Sequence, residues 1–215
     1  MPIMKVNKPK KPYYWSKAIS YLCKHDPILS NLITKHKSCE ALKSTNRPFV
    51  TFFKIIVGQQ ISIEAANAVE GKIKKAIGKI TGKKFLSVDT HILRKCGLSF
   101  RKIKYIKGIA ELVDKDPNFF KKISNLDDSK AIENLTSLYG IGPWSAEMFL
   151  IFHFNRKNIL PLGDVGLVNS FCKNYRVDKK DFIKEICIHK KSWEPYCTVA
   201  TWFLWRDIDE DVVQY

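Results

Sequence analysis

Two glycines one residue apart interrupt a helical pattern in the segment "LYGIGPWSAEMFL" (138–150). Gly140 and Gly142 lack a Cβ and can adopt positive φ, and Pro143 suits the first position of a new helix because it has no N–H that would need a partner there. We expect Ile141 to point inward between them. Such a turn leaves main-chain N–H groups at the start of the second helix facing outward, where the helix dipole favours an anion. The segment is either a phosphate-binding turn or an ordinary connection between two helices.

One carboxylate follows this hairpin in the segment "LPLGDVGLVNSF" (160–171). Pro161 and Gly163 force a loop, and Asp164 stands immediately before the apolar face of the next predicted helix. That face comprises Val165, Leu167, Val168 and Phe171. Aspartate is a favoured helix N-cap, so spacing alone favours a structural role for Asp164.

Helical periodicity runs through almost the whole chain. In "SIEAANAVEGKIKKAI" (62–77) an apolar stripe recurs at three- and four-residue steps, and most of the lysines fall off that stripe. Further helices are predicted around 16–24, 27–36, 48–57, 89–95, 99–114, 129–138, 143–154, 165–175, 179–189 and 195–206. Because no alternating strand pattern of convincing length occurs, the sequence predicts an all-α protein of about ten short helices.

The chain is strongly basic. Its 37 Lys and Arg against 21 Asp and Glu give a net charge of +16 over 215 residues, spread along the chain and not held in one tail. A polyanion such as nucleic acid is the natural partner of this charge, although a generally lysine-rich composition would produce the same excess. The hydrophobic share of 45% is enough for a globular core.

The six cysteines are widely spaced and form no C-x-x-C pair. We therefore expect reduced, mostly buried thiols. The basic start "MPIMKVNKPKKPYYW" lacks the apolar core of a signal peptide, and no apolar run approaches the roughly 18 residues of a membrane span. These patterns predict a soluble protein of the cytoplasm or nucleoid, or of a eukaryotic nucleus, with no membrane partner. They also predict a flexible basic arm over 1–12 and one domain over 13–215.

Several of these segments resemble one family. "LTSLYGIGPWSAEMFL" followed by "LPLGDVGLVNSF" is similar to the helix-hairpin-helix, Gly/Pro-rich loop and aspartate signature of the DNA glycosylase superfamily. The 3-methyladenine DNA glycosylase II branch is indicated by "IIVGQQISIEAA" (55–66), "GLSFRKIKYIKGIA" (97–110) and "SWEPYCTVATWFLWR" (192–206). The resemblance implies an all-α, two-lobed fold with a cleft between two interleaved subdomains and a hairpin at 135–154. It also implies the compact form without an N-terminal α/β domain.

The same resemblance implies a monofunctional enzyme that excises alkylated purines from double-stranded damaged DNA as a monomer. The target base must first leave the stack, and Gln59, Gln60 or Ile61 would fill the gap behind it. Asp164 matches the catalytic aspartate, whose charge would stabilise the oxocarbenium-like sugar and would orient or activate the attacking water. An N3- or N7-alkylated purine already carries positive charge, so one carboxylate is enough.

The remaining site residues also follow from the resemblance. Trp144, Met148 and Trp205 match positions that line the base pocket, although core packing is the usual fate of Trp and Met at helical spacing. Bifunctional relatives have a nucleophilic lysine where Trp144 stands, so no strand cleavage is expected. The main-chain carbonyls of Thr136, Leu138 and Ile141 match positions that hold a structural Na⁺ or K⁺ when DNA is bound, and no cofactor is expected for catalysis.

The sequence leaves two other hypotheses open. A non-catalytic helix-hairpin-helix module would keep the basic charge and the DNA-binding hairpin Gly140, Ile141 and Gly142, but would give Asp164 no chemical role. A glycosylase acting on uracil, hypoxanthine or ethenoadenine would keep the catalytic aspartate and change the pocket.

Overall fold

The computed structural model describes residues 11–44 and 47–209, so the first ten residues of the predicted basic arm lie outside it. Within these ranges the chain forms α-helices joined by turns, with one short 3-10 helix at Lys179–Asp181 and no strand. The helices are α1 Trp15–His25, α2 Pro27–Lys35, α3 Pro48–Gly58, α4 Ile63–Ile77, α5 Gly82–Ser87, α6 Thr90–Lys95, α7 Phe100–Lys115, α8 Phe119–Ser124, α9 Asp128–Thr136, α10 Pro143–Phe152, α11 Val165–Tyr175, α12 Phe182–Trp193 and α13 Cys197–Arg206. The all-α prediction is confirmed.

Two helices were missed by the periodicity. Helices α5 and α8 are six residues long, which is too short for a repeating apolar pattern to be recognised. Local capping and burial form α5: the Thr81 hydroxyl accepts a hydrogen bond from Lys84 N at 3.3 Å, and the Phe85 side chain is fully buried. The stripe predicted in α4 agrees with the structure, because Ile73 is buried and Lys72 and Lys75 are exposed.

The described chain divides into two compact units. The terminal unit comprises residues 11–44 and 155–209, and the inserted unit comprises residues 47–154. Helices α1, α2 and α11–α13 pack together in the terminal unit, and α3–α10 pack together in the inserted unit. The terminal unit is therefore built from two segments that are far apart in sequence.

A buried carboxylate joins those two segments. Asp26, only 3% exposed, caps α2 by accepting hydrogen bonds from Ile28 N at 2.9 Å and Leu29 N at 3.0 Å. Its other oxygen accepts from Tyr175 Oη at 2.7 Å and Trp193 Nε1 at 2.8 Å. Burial and the adjacent carboxylate raise the pKa of the Tyr175 phenol, which therefore remains a donor. A charge removed from water is stabilised here because its hydrogen-bonding capacity is met.

The inserted unit is built around α3, which is apolar on nearly all sides. Phe52 lies stacked on Phe149 of α10 with ring centroids 4.0 Å apart, and Phe120 of α8 packs at 5.5 Å from Phe52. Helices α4, α7 and α10 all contact α3. A helix that is hydrophobic all round is stable only when other elements surround it, and α3 meets that requirement.

The structure corrects two expectations about side-chain burial. Val165, predicted on the apolar face of α11, is 71% exposed, whereas Leu167 and Phe171 are fully buried as expected. The cysteines are free thiols, but only Cys96 and Cys197 are buried, so "mostly buried" was wrong. No helix in residues 11–44 and 47–209 is long and apolar enough to cross a membrane.

We expect Asp26→Ala to lower the free energy of unfolding by roughly 3–5 kcal/mol, because it removes a helix cap and leaves two buried donors unsatisfied. Urea unfolding followed by tryptophan fluorescence measures the change. Asp178→Ala is the matched control, since the Asp178 side chain is 78% exposed and should shift stability by less than about 0.5 kcal/mol. Equal shifts for the two variants would show that the Asp26 network does not stabilise the terminal unit.

His153, at the C-terminal end of α10, gives the inserted unit a pH dependence. Its ring stacks on Phe149 at 4.7 Å, and burial lowers its pKa from 6.5 to about 4. The folded state thus disfavours the protonated ring, and stability present above pH 6.5 is lost as the pH falls towards about 4, by up to about 3 kcal/mol. His153→Phe should flatten this dependence in urea unfolding between about pH 7.5 and 4.5. Parallel pH profiles for the two proteins would contradict the assignment.

Candidate functional site

The predicted hairpin is present in the inserted unit. Helix α9 ends at Thr136 and α10 begins at Pro143, the predicted first position. The Ile141 N–H donates to the Leu138 carbonyl at 3.0 Å, which closes the turn. Ile141 is 4% exposed and fills the inside of the turn, as predicted.

The two glycines of the hairpin have different roles. Gly140 has φ +87°, and a Cβ placed there would lie 2.2 Å from Cγ of Tyr105, so the Tyr105 ring packs directly on its backbone. Gly142 has φ −94° and ψ 177°, a conformation open to any residue, and no heavy atom lies within 4 Å of a Cβ built there. Gly142 therefore does not use the positive φ that glycine permits. Only Gly140 is required by the turn itself.

Gly142 nevertheless leaves the start of α10 open. It is the N-cap residue and is exposed together with Pro143, and its side-chain position is empty. Main-chain N–H groups in the first turn of a helix have no acceptor within the helix, and the dipole places partial positive charge there. This end of α10 can therefore accept an anionic oxygen without steric obstruction at Gly142.

The loop that follows α3 is held against the hairpin. Gln59 Nε2 donates to the Gly140 carbonyl at 3.2 Å and to Ser145 Oγ at 2.9 Å. Lys102 Nζ of α7 donates to the Val57 carbonyl at 2.7 Å and to the Gln59 carbonyl at 2.8 Å, and burial lowers the pKa of this lysine. The loop is thus fixed to two other elements of the inserted unit.

Within this loop the three candidate residues face different surroundings. Gln59 is half-buried and engaged with the hairpin, whereas Gln60 is exposed with φ +58° and Ile61 is 41% exposed. Only Gln60 and Ile61 project from the loop. Both side chains are therefore accessible to a partner.

Asp164 lies in the terminal unit as the N-cap of α11. Its Oδ1 accepts hydrogen bonds from Leu167 N at 2.7 Å and from Trp205 Nε1 at 2.8 Å. The helix cap and the indole therefore fix the same oxygen of one carboxylate. Gly166 makes this arrangement fit, because a Cβ there would lie 3.1 Å from Asp164 Oδ1 and 3.3 Å from Trp205 Cδ1.

Hydrogen bonds join α11 to the chain on both sides of Trp205 in α13. Ser170 Oγ donates to the Leu204 carbonyl at 2.5 Å, and Asn174 Nδ2 donates to Asp207 Oδ2 at 3.0 Å. Burial by itself would raise the pKa of Asp207, but hydrogen bonds from lysine and asparagine side chains outweigh it and lower the pKa. Trp205 is 8% exposed and is held in place for its contact with Asp164.

The other two pocket candidates belong to α10 of the inserted unit. Trp144, in the first turn, is partly exposed. Met148, one turn later, is only 2% exposed and lies with the core residues of this helix. The structure thus groups Asp164 with Trp205 in one unit and the hairpin with Gln59 in the other, and places Met148 in the core.

A groove next to the hairpin was not anticipated from the sequence. Phe100 is 68% exposed with Arg94 Cζ 4.5 Å from its ring centroid, and Tyr139 is 63% exposed with Lys104 Nζ 4.9 Å from its ring centroid. Both rings line a cavity of about 440 Å³ together with Lys107. Exposed aromatic rings combined with cations suit bases and phosphates. The signal available in the sequence was Phe100 among the basic residues of "SFRKIKYIK" (99–107), whereas Tyr139 comes from the hairpin turn.

The cysteines of the described residues belong to no metal-binding cluster, and Cys197 is not a reactive thiol. Among the residues that the structure describes, no group of three or more His, Cys, Asp or Glu side chains is placed to hold a metal ion. Cys197 at the start of α13 is fully buried, and burial raises its pKa to about 12. Its thiol is therefore protonated at neutral pH and unreactive.

Comparison with known proteins identifies the family. The sequence profile of the HhH-GPD superfamily, described as base excision DNA repair proteins, matches residues 53–196, well over half of the chain. The chain belongs to this superfamily. The matched range includes the loop after α3, the hairpin and Asp164. It ends at Tyr196, immediately before α13, the helix that carries Trp205.

Curated relatives in two yeasts carry glycosylase names. The chain is 31% identical over 163 residues to DNA-3-methyladenine glycosylase 1 of Schizosaccharomyces pombe, a match that covers 74% of this chain and 72% of that protein. It is 29% identical over 213 residues to the DNA-3-methyladenine glycosylase of Saccharomyces cerevisiae, covering 92% of this chain and 72% of that protein.

Solved structures agree with the HhH-GPD fold. The S. pombe 3-methyladenine DNA glycosylase in complex with abasic DNA aligns with a TM-score of 0.74 at 28% identity, covering 88% of this chain and 95% of that one. A DNA-3-methyladenine glycosidase from Bacillus halodurans aligns with a TM-score of 0.72 at 32% identity, covering 90% and 89%. The predicted fold family is confirmed.

The hairpin geometry predicts that its two glycines respond differently to alanine. We expect Gly140→Ala to cost about 2–4 kcal/mol, because the new Cβ meets the Tyr105 ring and the backbone is left-handed there. Gly142→Ala should cost less than about 1 kcal/mol but should weaken binding of undamaged duplex DNA, since a methyl group then stands at the open helix end. Urea unfolding and fluorescence anisotropy measure the two effects. Equal stabilities for both variants would contradict the assignment of Gly140 as the structural glycine.

Proposed function

We propose that this protein is a monofunctional DNA glycosylase that hydrolyses the N-glycosidic bond of alkylated purines of the 3-methyladenine and 7-methylguanine type. It acts on double-stranded damaged DNA as a monomer and leaves an abasic site for base excision repair. Family membership and the names of the relatives support this class of reaction. The observation that carries the proposal is the Asp164 carboxylate, held through one oxygen by both the α11 cap and the Trp205 indole.

A carboxylate fixed in this way suits the chemistry of base loss. Positive charge develops on the sugar as the base departs, and a negative charge already in position stabilises that transition state without further reorganisation. Asp164 supplies this charge and orients the water that attacks the sugar. Trp205 acts by fixing the carboxylate and by offering an aromatic face to the cationic base. Trp144, half-buried in the first turn of α10, remains a predicted base-contacting residue, whereas Met148 is buried in the core of its own unit.

The leaving group explains why one carboxylate is sufficient. Ordinary glycosidases use two carboxyl groups, one of which protonates the leaving oxygen. A purine alkylated at N3 or N7 is already cationic and departs as a neutral base without a strong general acid. The proposed substrate class therefore matches a site with a single assigned catalytic carboxylate.

The inserted unit supplies the proposed DNA contacts. The open start of α10 binds a backbone phosphate through main-chain N–H groups, and the aromatic groove beside it carries further cations. Gln60 and Ile61 are the residues of the loop that fill the space left by the flipped nucleotide, because Gln59 is engaged with Gly140 and Ser145.

Three main-chain carbonyls of the hairpin would hold a monovalent cation next to the proposed phosphate contact. Thr136 is the last residue of α9. Its carbonyl is one of the last four of the helix, which accept no hydrogen bond from an N–H of the same helix. The Leu138 carbonyl accepts one hydrogen bond, from Ile141 N, and retains a second lone pair. With the Ile141 carbonyl, these neutral oxygens suit Na⁺ or K⁺, which would offset phosphate charge at the hairpin and take no part in catalysis.

Asp164→Asn is the direct test of the catalytic assignment. Asparagine can keep both hydrogen bonds to Oδ1, so the fold should persist while the negative charge is lost. We expect release of 3-methyladenine and 7-methylguanine from methylated duplex DNA to fall by about 10²-fold or more. Chromatography of the released bases measures this, with DNA binding as the control for folding. Unchanged release would remove Asp164 from the mechanism, and absent release by the unaltered protein would favour a non-catalytic DNA-binding module.

Single-lesion duplexes containing uracil, hypoxanthine, ethenoadenine or 7-methylguanine test the substrate class. We expect excision of the alkylated base, because the proposed site offers aromatic faces and a carboxylate to a cation but no general acid for a neutral leaving group. Faster excision of uracil or hypoxanthine would replace the alkylpurine proposal with one for deaminated bases.

The absence of strand cleavage is a separate prediction. A lyase needs an amine that forms a Schiff base with the sugar, and Trp144 cannot provide one. We expect the purified protein to leave intact strands that break only after heat or alkali, as seen on denaturing gels. Trapping of a covalent adduct by borohydride would contradict the monofunctional assignment. Trp144→Lys should not create lyase activity by itself, because the amine would also need a lowered pKa.

A further inference from the structure

A second cationic site lies in the inserted unit, at the end of the α3–α4 pair. A cavity of about 390 Å³ is lined by the side chains of Arg47, Lys54, Lys74 and Lys79 and by one carboxylate, Glu70. Four cations and one anion give this cavity a charge of 4 − 1 = +3. Its volume lies in the range of sites that hold small ligands.

The side chains that line this cavity carry more positive than negative charge. Glu70, the one carboxylate among the described lining residues, pairs through Oε1 with Lys74 Nζ at 2.6 Å. Burial lowers the pKa of Lys54; Glu70 counteracts this, and Lys74 and Arg47 lower the pKa further. The cations are therefore close enough to repel one another in a partly desolvated place. A multivalent anion bound among these cations would attract each of them and so offset their mutual repulsion.

The cavity is separate from the elements assigned to DNA binding. Helices α3 and α4 pack together and are joined by the loop at 59–62, so they run in opposite directions away from that loop. Lys74 lies twelve residues after Ser62, which at 1.5 Å per residue places it about 18 Å along α4 from the loop. The cavity lies towards the far end of the pair. Val50 and Ile80, both buried, complete its wall.

We propose that this cavity is a binding site for a phosphate-type polyanion, either a free pyrophosphate group or a phosphate of the DNA backbone. Arg47 offers a planar fork of donors to adjacent phosphate oxygens, and the lysines offer point charges around them. Glu70 keeps Lys74 positioned and limits the site to ligands with enough negative charge to outweigh one carboxylate. No step of the glycosylase reaction is needed for this binding.

The experiment compares two double variants of equal charge change on the full chain. Lys54→Gln with Lys74→Gln removes two cations from the cavity, and Lys72→Gln with Lys75→Gln removes two exposed cations from α4 that do not line it. Arg47→Gln with Lys79→Gln is a further cavity variant at exposed positions, which protects the test against misfolding. Titration calorimetry with inorganic pyrophosphate and the salt dependence of binding to a short undamaged duplex are measured for each.

We expect the cavity variants to lose about tenfold or more in pyrophosphate affinity, as loss of charge-assisted hydrogen bonds demands, while the α4 control keeps it. If the occupant is a DNA phosphate, the slope of log K against log salt falls by about 0.9 per lost contact beyond the control. An unchanged slope with lost pyrophosphate binding identifies a free ligand. Equal responses of cavity and control variants to both probes would overturn the proposal.

Discussion

The carboxylate of Asp26 is the constraint on which the terminal unit depends. The two segments of this unit are separated in sequence by the whole inserted unit, so bringing them together carries a cost in chain entropy. Asp26 offsets part of that cost by capping a helix of the first segment and accepting hydrogen bonds from Tyr175 and Trp193 of the second. Because the carboxylate is buried, each of those partners is also needed to compensate its desolvation. The closure of the unit is therefore specific.

The proposed catalytic group lies within the second of these two segments. Asp164 begins α11 and Trp205 lies near the end of α13, and the packing of these two helices brings the indole within 2.8 Å of the carboxylate. The same α11 ends at Tyr175, which reaches Asp26. One helix thus connects the structural carboxylate at one end to the proposed catalytic carboxylate at the other. The inserted unit holds its own elements by different means, chiefly the aromatic packing around α3 and the contacts of Gln59 and Lys102.

Much of this fold could be predicted from the sequence, because long amphipathic helices are recognised by their apolar periodicity and by the helix breakers at their ends, such as Pro143. The sequence could not predict what depends on tertiary contacts. Gly140 and Gly142 are indistinguishable in sequence, and only the Tyr105 ring packed on Gly140 separates their roles. In the sequence, Gln59, Gln60 and Ile61 are equivalent candidates for the residue inserted into DNA. Only the hydrogen bonds of Gln59 to the hairpin distinguish it from the other two. For Asp164, spacing suggested a cap and resemblance suggested catalysis, and the geometry is compatible with both because one oxygen serves the cap and the indole.

The anchored loop after α3 also affects how a bent or opened duplex would be recognised. The Gln59 side chain donates hydrogen bonds to the hairpin, and Lys102 of α7 donates to main-chain carbonyls of the same loop. Gln60 and Ile61 therefore stand on a backbone that is ordered before any ligand arrives. Ordering such a loop during association would otherwise consume part of the binding free energy. With that cost removed, the proposed insertion would be opposed mainly by the work of distorting the nucleic acid. That work is lowest where stacking is already weakened, so a stiff protein loop would convert local softness of the duplex into selectivity.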